Sequence, residues 1–111
     1  MKNIKIVDAL NEALREEMQR DDKVFCMGED IGAKGGIFSV TKGLLDEFGA
    51  KRVRNTPVSE NAFSTAAVSA ACNGGLRPVV EIMYEDFACV CWDALANQAP
   101  KIRYMGNGSY E

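Results

Sequence analysis

Residues 51–83, KRVRNTPVSENAFSTAAVSAACNGGLRPVVEIM, decide the fold of this chain. The stretch begins with a strand-like segment at 51–56 and continues through many small residues to a pair of glycines. Ser59 is a suitable helix N-cap, and the glycines end the helix that we predict at 60–73. An apolar segment at 78–83 follows as a second strand. A strand, a helix and a strand in this order predict a parallel β-α-β unit.

The flanking sequence adds further helices and one more strand. Apolar residues spaced three and four apart predict an amphipathic helix at 7–20, and a shorter helix with a threonine cap is predicted at 41–48. The apolar run 24–27 predicts a buried strand, and a last amphipathic helix is predicted at about 86–97. Pro100 should kink or end this helix. The alternation predicts an α/β domain of three layers, in which a mainly parallel sheet is flanked by helices.

The composition excludes several functional classes. With 111 residues, of which 47% are hydrophobic and 26% charged, the chain is one ordinary globular domain. The net charge of −3 argues against nucleic acid and anionic membrane surfaces as partners. No apolar run approaches the ~20 residues that span a bilayer, and we see no secretory signal before the first helix. We therefore expect a cytoplasmic protein.

Four cysteines and the lack of histidine limit the chemistry. Cys89 and Cys91 are two residues apart, so their side chains would diverge on a helix, and the sequence has no C-x-x-C pair. We therefore expect free thiols in a reducing compartment and no zinc site. Acid–base catalysis that needs a histidine would have to use a residue of another chain.

Glu60 is the main candidate for a functional residue. It lies between a predicted strand end and a predicted helix start, which is where open α/β sheets bind their ligands. An acidic residue in the first turn of a helix also has a purely structural explanation, because the helix dipole stabilises it by ~0.3–1 kcal/mol. The residue by itself leaves both interpretations open.

Several motifs occur together and in one order along nearly the whole chain. They are GEDIG at 28–32, GGIF at 35–38, TKGLL at 41–45, RNTPVSE at 54–60 and GLRPVVEIM at 75–83. The set resembles the pyrimidine-binding domain in the β subunit of thiamine-diphosphate-dependent 2-oxo acid dehydrogenases. These are the first components of the pyruvate, acetoin and branched-chain complexes, and the resemblance is stronger to the acetoin and pyruvate members.

The resemblance implies roles for four residues. Glu60 corresponds to the glutamate that binds the pyrimidine ring nitrogen of thiamine diphosphate and favours its reactive tautomer. Phe87 corresponds to an aromatic residue packed on the pyrimidine face, and Met83 corresponds to its apolar neighbour; ordinary core packing is the alternative for both. Glu29 corresponds to an acid that helps to carry a proton between paired active sites, with a solvated loop carboxylate as the alternative.

The resemblance also implies what other chains supply. In the family, a G-D-G motif of the partner α subunit holds the diphosphate and Mg²⁺ of the cofactor, and this sequence contains no such motif. The implied partners are that α subunit, a second β chain and the acyltransferase core, which is bound through a missing C-terminal domain. The chain would then comprise a truncated pyrimidine-binding domain at 1–105 and the start of a linker at 106–111. We expect it to be inactive alone.

Two alternatives remain open at this point. The chain could be the pyrimidine half of a transketolase or deoxyxylulose-phosphate synthase, although the GGIF and KIRYM motifs favour the dehydrogenase family. It could also be a non-catalytic interaction domain of the same fold. The short length and Pro100, where the family usually has alanine, are arguments for this second alternative.

Overall fold

A three-stranded parallel sheet forms the centre of the protein. The computed structural model describes residues 3–110. Strand β1 (Val24–Gly28) lies between β2 (Val53–Asn55) and β3 (Arg77–Glu81) and pairs in parallel with both. All five residues of β1 are buried, as expected for the central strand of a sheet that is covered on both faces. The strand order and direction confirm the predicted parallel β-α units.

Helices cover both faces of this sheet. Helices α1 (Ile6–Arg20) and α2 (Leu44–Phe48) contribute to one core cluster, and α3 (Glu60–Gly74) contributes to the other. The first cluster contains Met18, Val24, Cys26, Ile31, Leu44 and Val53. The second contains Phe25, Met27, Phe63 and Ala67. Because successive residues of β1 point to opposite faces, one short strand serves both clusters. The predicted three-layer α/β architecture is confirmed.

Most of the predicted boundaries agree with the structure to within two residues. Strand β2 is shorter than the predicted 51–56, and β3 ends before Met83, so that this residue lies in the turn after the strand. The predicted glycine stops are confirmed, since Gly49 and Gly75 follow α2 and α3 with φ angles of 75° and 58°.

The prediction that Thr41 caps the second helix is wrong. Helix α2 begins only at Leu44, after Gly43. Thr41 is 2% exposed, and its hydroxyl donates a hydrogen bond of 2.8 Å to the carbonyl of Ile31. This hydrogen bond therefore joins the two ends of the loop between β1 and α2, residues 29–43. A partner ten residues away in sequence cannot be inferred from a capping motif.

The segment after β3 also differs from the prediction. A single amphipathic helix at 86–97 was expected, but the chain forms a 3₁₀-helical turn (Glu85–Ala88) and a π-helical segment (Asp93–Gln98) that continues into α4 (Ala99–Met105). The expected apolar stripe does not share one buried face. Its members Phe87, Val90 and Leu95 are more than one third exposed, whereas Cys91 is fully buried.

Pro100 does not end this last helix. It lies in the first turn of α4, where the missing N–H of proline is tolerated. In the preceding π-helical turn the Ala99 N–H binds the carbonyl of Ala94, five residues back. The wider turn gives room for the proline ring, which would clash with a carbonyl of a regular α-helix. The helix consequently runs through the proline to Met105.

The cysteines and the apolar character of the helices can be described for residues 3–110. All four cysteines are free, and burial raises the pKa of the Cys26 thiol to about 11, so this thiol is unreactive at neutral pH. Within residues 3–110, no helix has both the length and the apolar character needed to cross a bilayer.

Candidate functional site

The carboxyl ends of the three strands lie side by side and position the candidate site. Strand β1 ends at Gly28, which is in register with the last residues of β2 and β3. Glu29 follows β1 directly, and α3 begins with Glu60 after the short connection from β2. Met83 lies just beyond the end of β3. Since parallel strands end at one edge of the sheet, three of the predicted site residues are brought to the same edge.

Glu60 is a buried carboxylate at the start of a helix. It is the first residue of α3 and only 7% exposed, although glutamate is rarely buried to this degree without a partner. Ser59 occupies the predicted N-cap position, but its side chain makes no capping bond within the described residues. The helix dipole favours the negative charge of Glu60. A buried carboxylate still requires a donor to offset its desolvation, and a ligand can supply that donor.

Glu29 is an acidic residue whose charge interacts with that of Glu60. Its Oε1 atom is buried and has no hydrogen-bond partner among the described residues. Partial burial raises the pKa of Glu29, and the charges of Glu60 and Asp30 raise it further, while a backbone amide contact from Ser59 opposes them. We call Glu29 and Glu60 the carboxylate pair, because the charge of Glu60 contributes to raising the pKa of Glu29.

Two buried hydroxyl groups next to this pair were not predicted from the sequence. The Oγ1 of Thr56 and the Oγ of Ser64 are both buried without a hydrogen-bond partner within residues 3–110. Thr56 lies between β2 and α3, where its backbone N–H donates to Gly28 at 2.9 Å. Ser64 follows Glu60 by four residues and therefore shares its helix face. Buried unsatisfied polar atoms are rare in folded proteins, so each of these hydroxyls is a candidate partner for a polar ligand.

The aromatic candidate Phe87 is part of a chain of three rings. Its ring contacts Tyr84 with centroids 5.8 Å apart and an interplanar angle of 74°. Tyr84 in turn contacts Phe38 of the 29–43 loop, with centroids 6.2 Å apart and an angle of 88°. We call these three residues the aromatic triplet. All three are exposed, Phe87 least at 38%, so the triplet is not part of either core cluster.

Sequence reasoning found only one member of the triplet. Tyr84 precedes Phe87 by three residues, which places both side chains on one side of a 3₁₀ turn and was a usable signal. Phe38 lies far away in sequence and gave no such signal. Met83 is half-buried between the end of β3 and this turn.

A third acidic residue lies beneath the 29–43 loop. Burial raises the pKa of Glu81, the last residue of β3. A Cβ atom added to Gly36 would lie 3.3 Å from both carboxylate oxygens of Glu81, so the loop backbone passes directly over this group. Among the described residues, no three His, Cys, Asp or Glu side chains are grouped so that they could hold a metal ion.

Comparison with known proteins gives a consistent result. Residues 2–106 match the family model described as the pyrimidine-binding domain of transketolase. The chain is 42% identical to the 2-oxoisovalerate dehydrogenase subunit beta of Bacillus subtilis over 104 residues, which cover 94% of this chain and 32% of that protein. It is 49% identical to the pyruvate dehydrogenase E1 component subunit beta of Rickettsia felis over 105 residues, covering 95% and 32%.

A third relative is named for a different activity. The chain is 43% identical to the acetoin:2,6-dichlorophenolindophenol oxidoreductase subunit beta of Bacillus subtilis, over 95% of this chain and 34% of that protein. The chain thus spans about one third of the length of the curated relatives that it matches.

Proposed function

Since the chain belongs to the family of transketolase pyrimidine-binding domains, we propose that it forms the pyrimidine-binding part of a thiamine diphosphate site. The family membership confirms the resemblance that the sequence motifs indicated. The observation that supports the proposal most is the buried Glu60 carboxylate at the carboxyl edge of the sheet, beside Glu29. In this proposal Glu60 is the residue that binds the pyrimidine ring.

The donors and acceptors at this edge fit an aminopyrimidine. Such a ring presents nitrogen atoms and an exocyclic amino group, all of which form hydrogen bonds. The Oε1 of Glu29 and the hydroxyls of Thr56 and Ser64 are buried without hydrogen-bond partners among the described residues, and the Glu60 carboxylate is buried as well. A polar heterocycle can offset their desolvation, whereas an apolar ligand would leave it uncompensated.

Each residue of the site has a defined task in the proposal. Glu60 accepts a hydrogen bond from the protonated pyrimidine ring nitrogen, and this bond is strengthened by charge and by the exclusion of water. Phe87 packs on the ring face, and Met83 adds an adaptable apolar contact. Glu29, with its raised pKa, holds and releases a proton beside Glu60. Thiamine diphosphate, when bound, supplies a thiazolium that serves as an electron sink for cleavage next to a carbonyl.

We further propose that the chain is the pyrimidine-binding portion of a β subunit of a 2-oxo acid dehydrogenase. The activities for which the relatives are named favour oxidative decarboxylation of pyruvate or a branched-chain 2-oxo acid, or acetoin cleavage. A partner α subunit then contributes the diphosphate and Mg²⁺ sites, a second β chain completes the assembly, and the acyltransferase core binds elsewhere. Activity requires these chains, so the protein alone is inactive, and its location is cytoplasmic.

Two other functions can be distinguished from this one by experiment. The pyrimidine half of a transketolase or deoxyxylulose-phosphate synthase would bind the same cofactor but act on sugar substrates. A non-catalytic interaction domain of this fold would bind no cofactor. The high identity to three dehydrogenase and oxidoreductase β subunits favours the first proposal over both.

The test is ligand-observed NMR of thiamine diphosphate with the full chain, without added metal. We expect weak binding by the wild type and affinity lower by about 10-fold in Glu60→Gln, because a charge-assisted hydrogen bond is lost. Glu12→Gln is the matched control, since it removes the same charge from a residue that is exposed on α1. Equal affinity in the wild type and Glu60→Gln would contradict the proposal, as would a wild type that does not bind.

A second readout tests the carboxylate pair without any cofactor. Loss of the Glu60 charge should lower the pKa of Glu29, because that charge contributes to raising it. An NMR titration of the Glu29 side-chain carboxyl in the wild type and Glu60→Gln measures this change. The pKa of Glu29 should stay the same in Glu12→Gln, and a pKa that is also unchanged in Glu60→Gln would refute the pairing.

A further inference from the structure

The aromatic triplet connects two segments of the proposed site that are remote in sequence. Phe38 belongs to the loop that begins with Glu29, while Tyr84 and Phe87 belong to the turn that follows Met83. The three rings meet edge to face, and the middle ring, Tyr84, contacts both of the others. Edge-to-face contacts are directional, so they restrict the orientation of each ring as well as its position.

The Phe87 ring lies outside both core clusters. It is 38% exposed and lies in a four-residue 3₁₀ turn rather than in a helix that packs on the sheet. The Phe87 N–H donates a hydrogen bond of 3.0 Å to the carbonyl of Tyr84. This bond closes the turn, and both side chains lie on the same side of it. The Tyr84 ring therefore occupies one flank of the Phe87 ring and blocks rotation of Phe87 in that direction.

Phe38 lies on a loop whose backbone is held by hydrogen bonds. The Gly36 N–H donates to the carbonyl of Asp30 at 2.9 Å, and the Thr41 hydroxyl binds the Ile31 carbonyl at 2.8 Å. Ser39, the residue after Phe38, has a φ angle of 62°, in the left-handed region that few residues other than glycine adopt. The hydrogen bonds within this loop thus hold the Phe38 ring in contact with Tyr84.

We propose that Tyr84 is a positioning residue that holds the Phe87 ring in the orientation needed to stack on the pyrimidine, with Phe38 bracing Tyr84. This inference rests on the proposed function, because it takes Phe87 as the ring that contacts the cofactor. Tyr84 itself touches no reacting atom. Its role is to reduce the number of orientations of Phe87, so that the stacking surface exists before the ligand arrives.

The experiment measures the ring-current shift of the pyrimidine methyl protons of thiamine diphosphate bound to the full chain. An oriented Phe87 ring moves this NMR signal upfield at saturation. In Tyr84→Leu we expect the limiting shift to fall to about half or less, with at most a few-fold loss of affinity. Tyr84→Phe keeps the ring edge and should restore the wild-type shift. Tyr104→Leu is the control, because Tyr104 is 89% exposed on α4.

Each outcome decides one point. A wild-type limiting shift in Tyr84→Leu overturns the positioning role. If Phe38 braces Tyr84, Phe38→Leu must also reduce the limiting shift, but by less than Tyr84→Leu, because the Phe38 side chain is 59% exposed. Phe87→Leu should abolish the shift altogether. If Phe87→Leu keeps the shift, the ring is not the stacking surface and the proposed site fails there, together with this inference. Loss in Phe87→Leu without loss in Tyr84→Leu overturns the positioning role alone.

Discussion

Arg52 should be one of the most sensitive positions for stability. Its guanidinium donates hydrogen bonds to the backbone carbonyls of Met18, Asp21 and Val24, and it lies 5.7 Å from the centroid of the Phe48 ring. One side chain thereby ties the end of α1, the start of β1 and the last residue of α2 to the segment that leads into β2. Glu29 follows β1 directly, and β2 leads through a short connection to Glu60 at the start of α3.

The contacts allow the effect of Arg52→Ala to be worked out. Hydrogen bonds from a charged donor are worth ~1.5–3 kcal/mol each, but partly exposed carbonyls regain water when the donor is removed. We therefore count about 1 kcal/mol for each of the three bonds, and ~0.5 kcal/mol for the contact with the Phe48 ring. The expected loss of unfolding free energy is thus on the order of 3.5 kcal/mol, a large part of the ~5–15 kcal/mol typical of a domain.

Urea denaturation followed by circular dichroism measures this loss. Arg52→Lys keeps the charge but has no planar group to bind three carbonyls, so it should lose about half as much. Arg103→Ala is the control, since Arg103 is exposed on α4, and its effect should stay below ~0.5 kcal/mol. If Arg52→Ala were no less stable than Arg103→Ala, the reasoning about this side chain would be refuted.

Two further predictions concern the buried acid and the small-residue helix. Because the pKa of Glu81 is raised in the folded state, ionisation of Glu81 should lower the stability of the wild type as the pH rises above the ordinary glutamate value of ~4.3. Glu81→Gln should therefore be more stable than the wild type at pH 7 and lose this advantage below about pH 4. Thermal melts at a series of pH values measure the difference. Ala67→Leu should lose ~1–3 kcal/mol in urea titrations, because Ala67 is 4% exposed in the core cluster under α3, whereas Ala66→Leu on the exposed side should change little. Equal stability of the two leucine variants would contradict close packing of α3 on the sheet.

The sequence predicts the sheet and its helices well because their signals are local. The apolar run at 24–27 and the small-residue helix after Ser59 are each bounded by caps or glycines, and such patterns specify an element without knowledge of its neighbours. The prediction failed after β3. There the apolar residues from Phe87 to Leu95 have helical spacing, yet the chain forms a 3₁₀ turn and a π-helical segment next to Pro100.

The candidate site was predictable only in part. Glu60 was a candidate because it starts a helix after a parallel strand, and the resemblance of the flanking motifs then implied its role. The unpartnered hydroxyls of Thr56 and Ser64 could not be found in this way, since burial and lack of partners are properties of the folded chain. The contact of Tyr84 with Phe38 joins residues from two loops and likewise depends on the tertiary fold.

The hydrogen bond between Glu60 and the pyrimidine ring is tested most directly by ¹⁵N NMR of thiamine diphosphate labelled in that ring. On addition of the wild-type chain, we predict that the resonance of one ring nitrogen moves toward its protonated position, because a buried carboxylate stabilises the proton there. With Glu60→Gln at concentrations that give equal occupancy, this resonance should stay near its position in the free cofactor. The same displacement with both proteins would contradict the account.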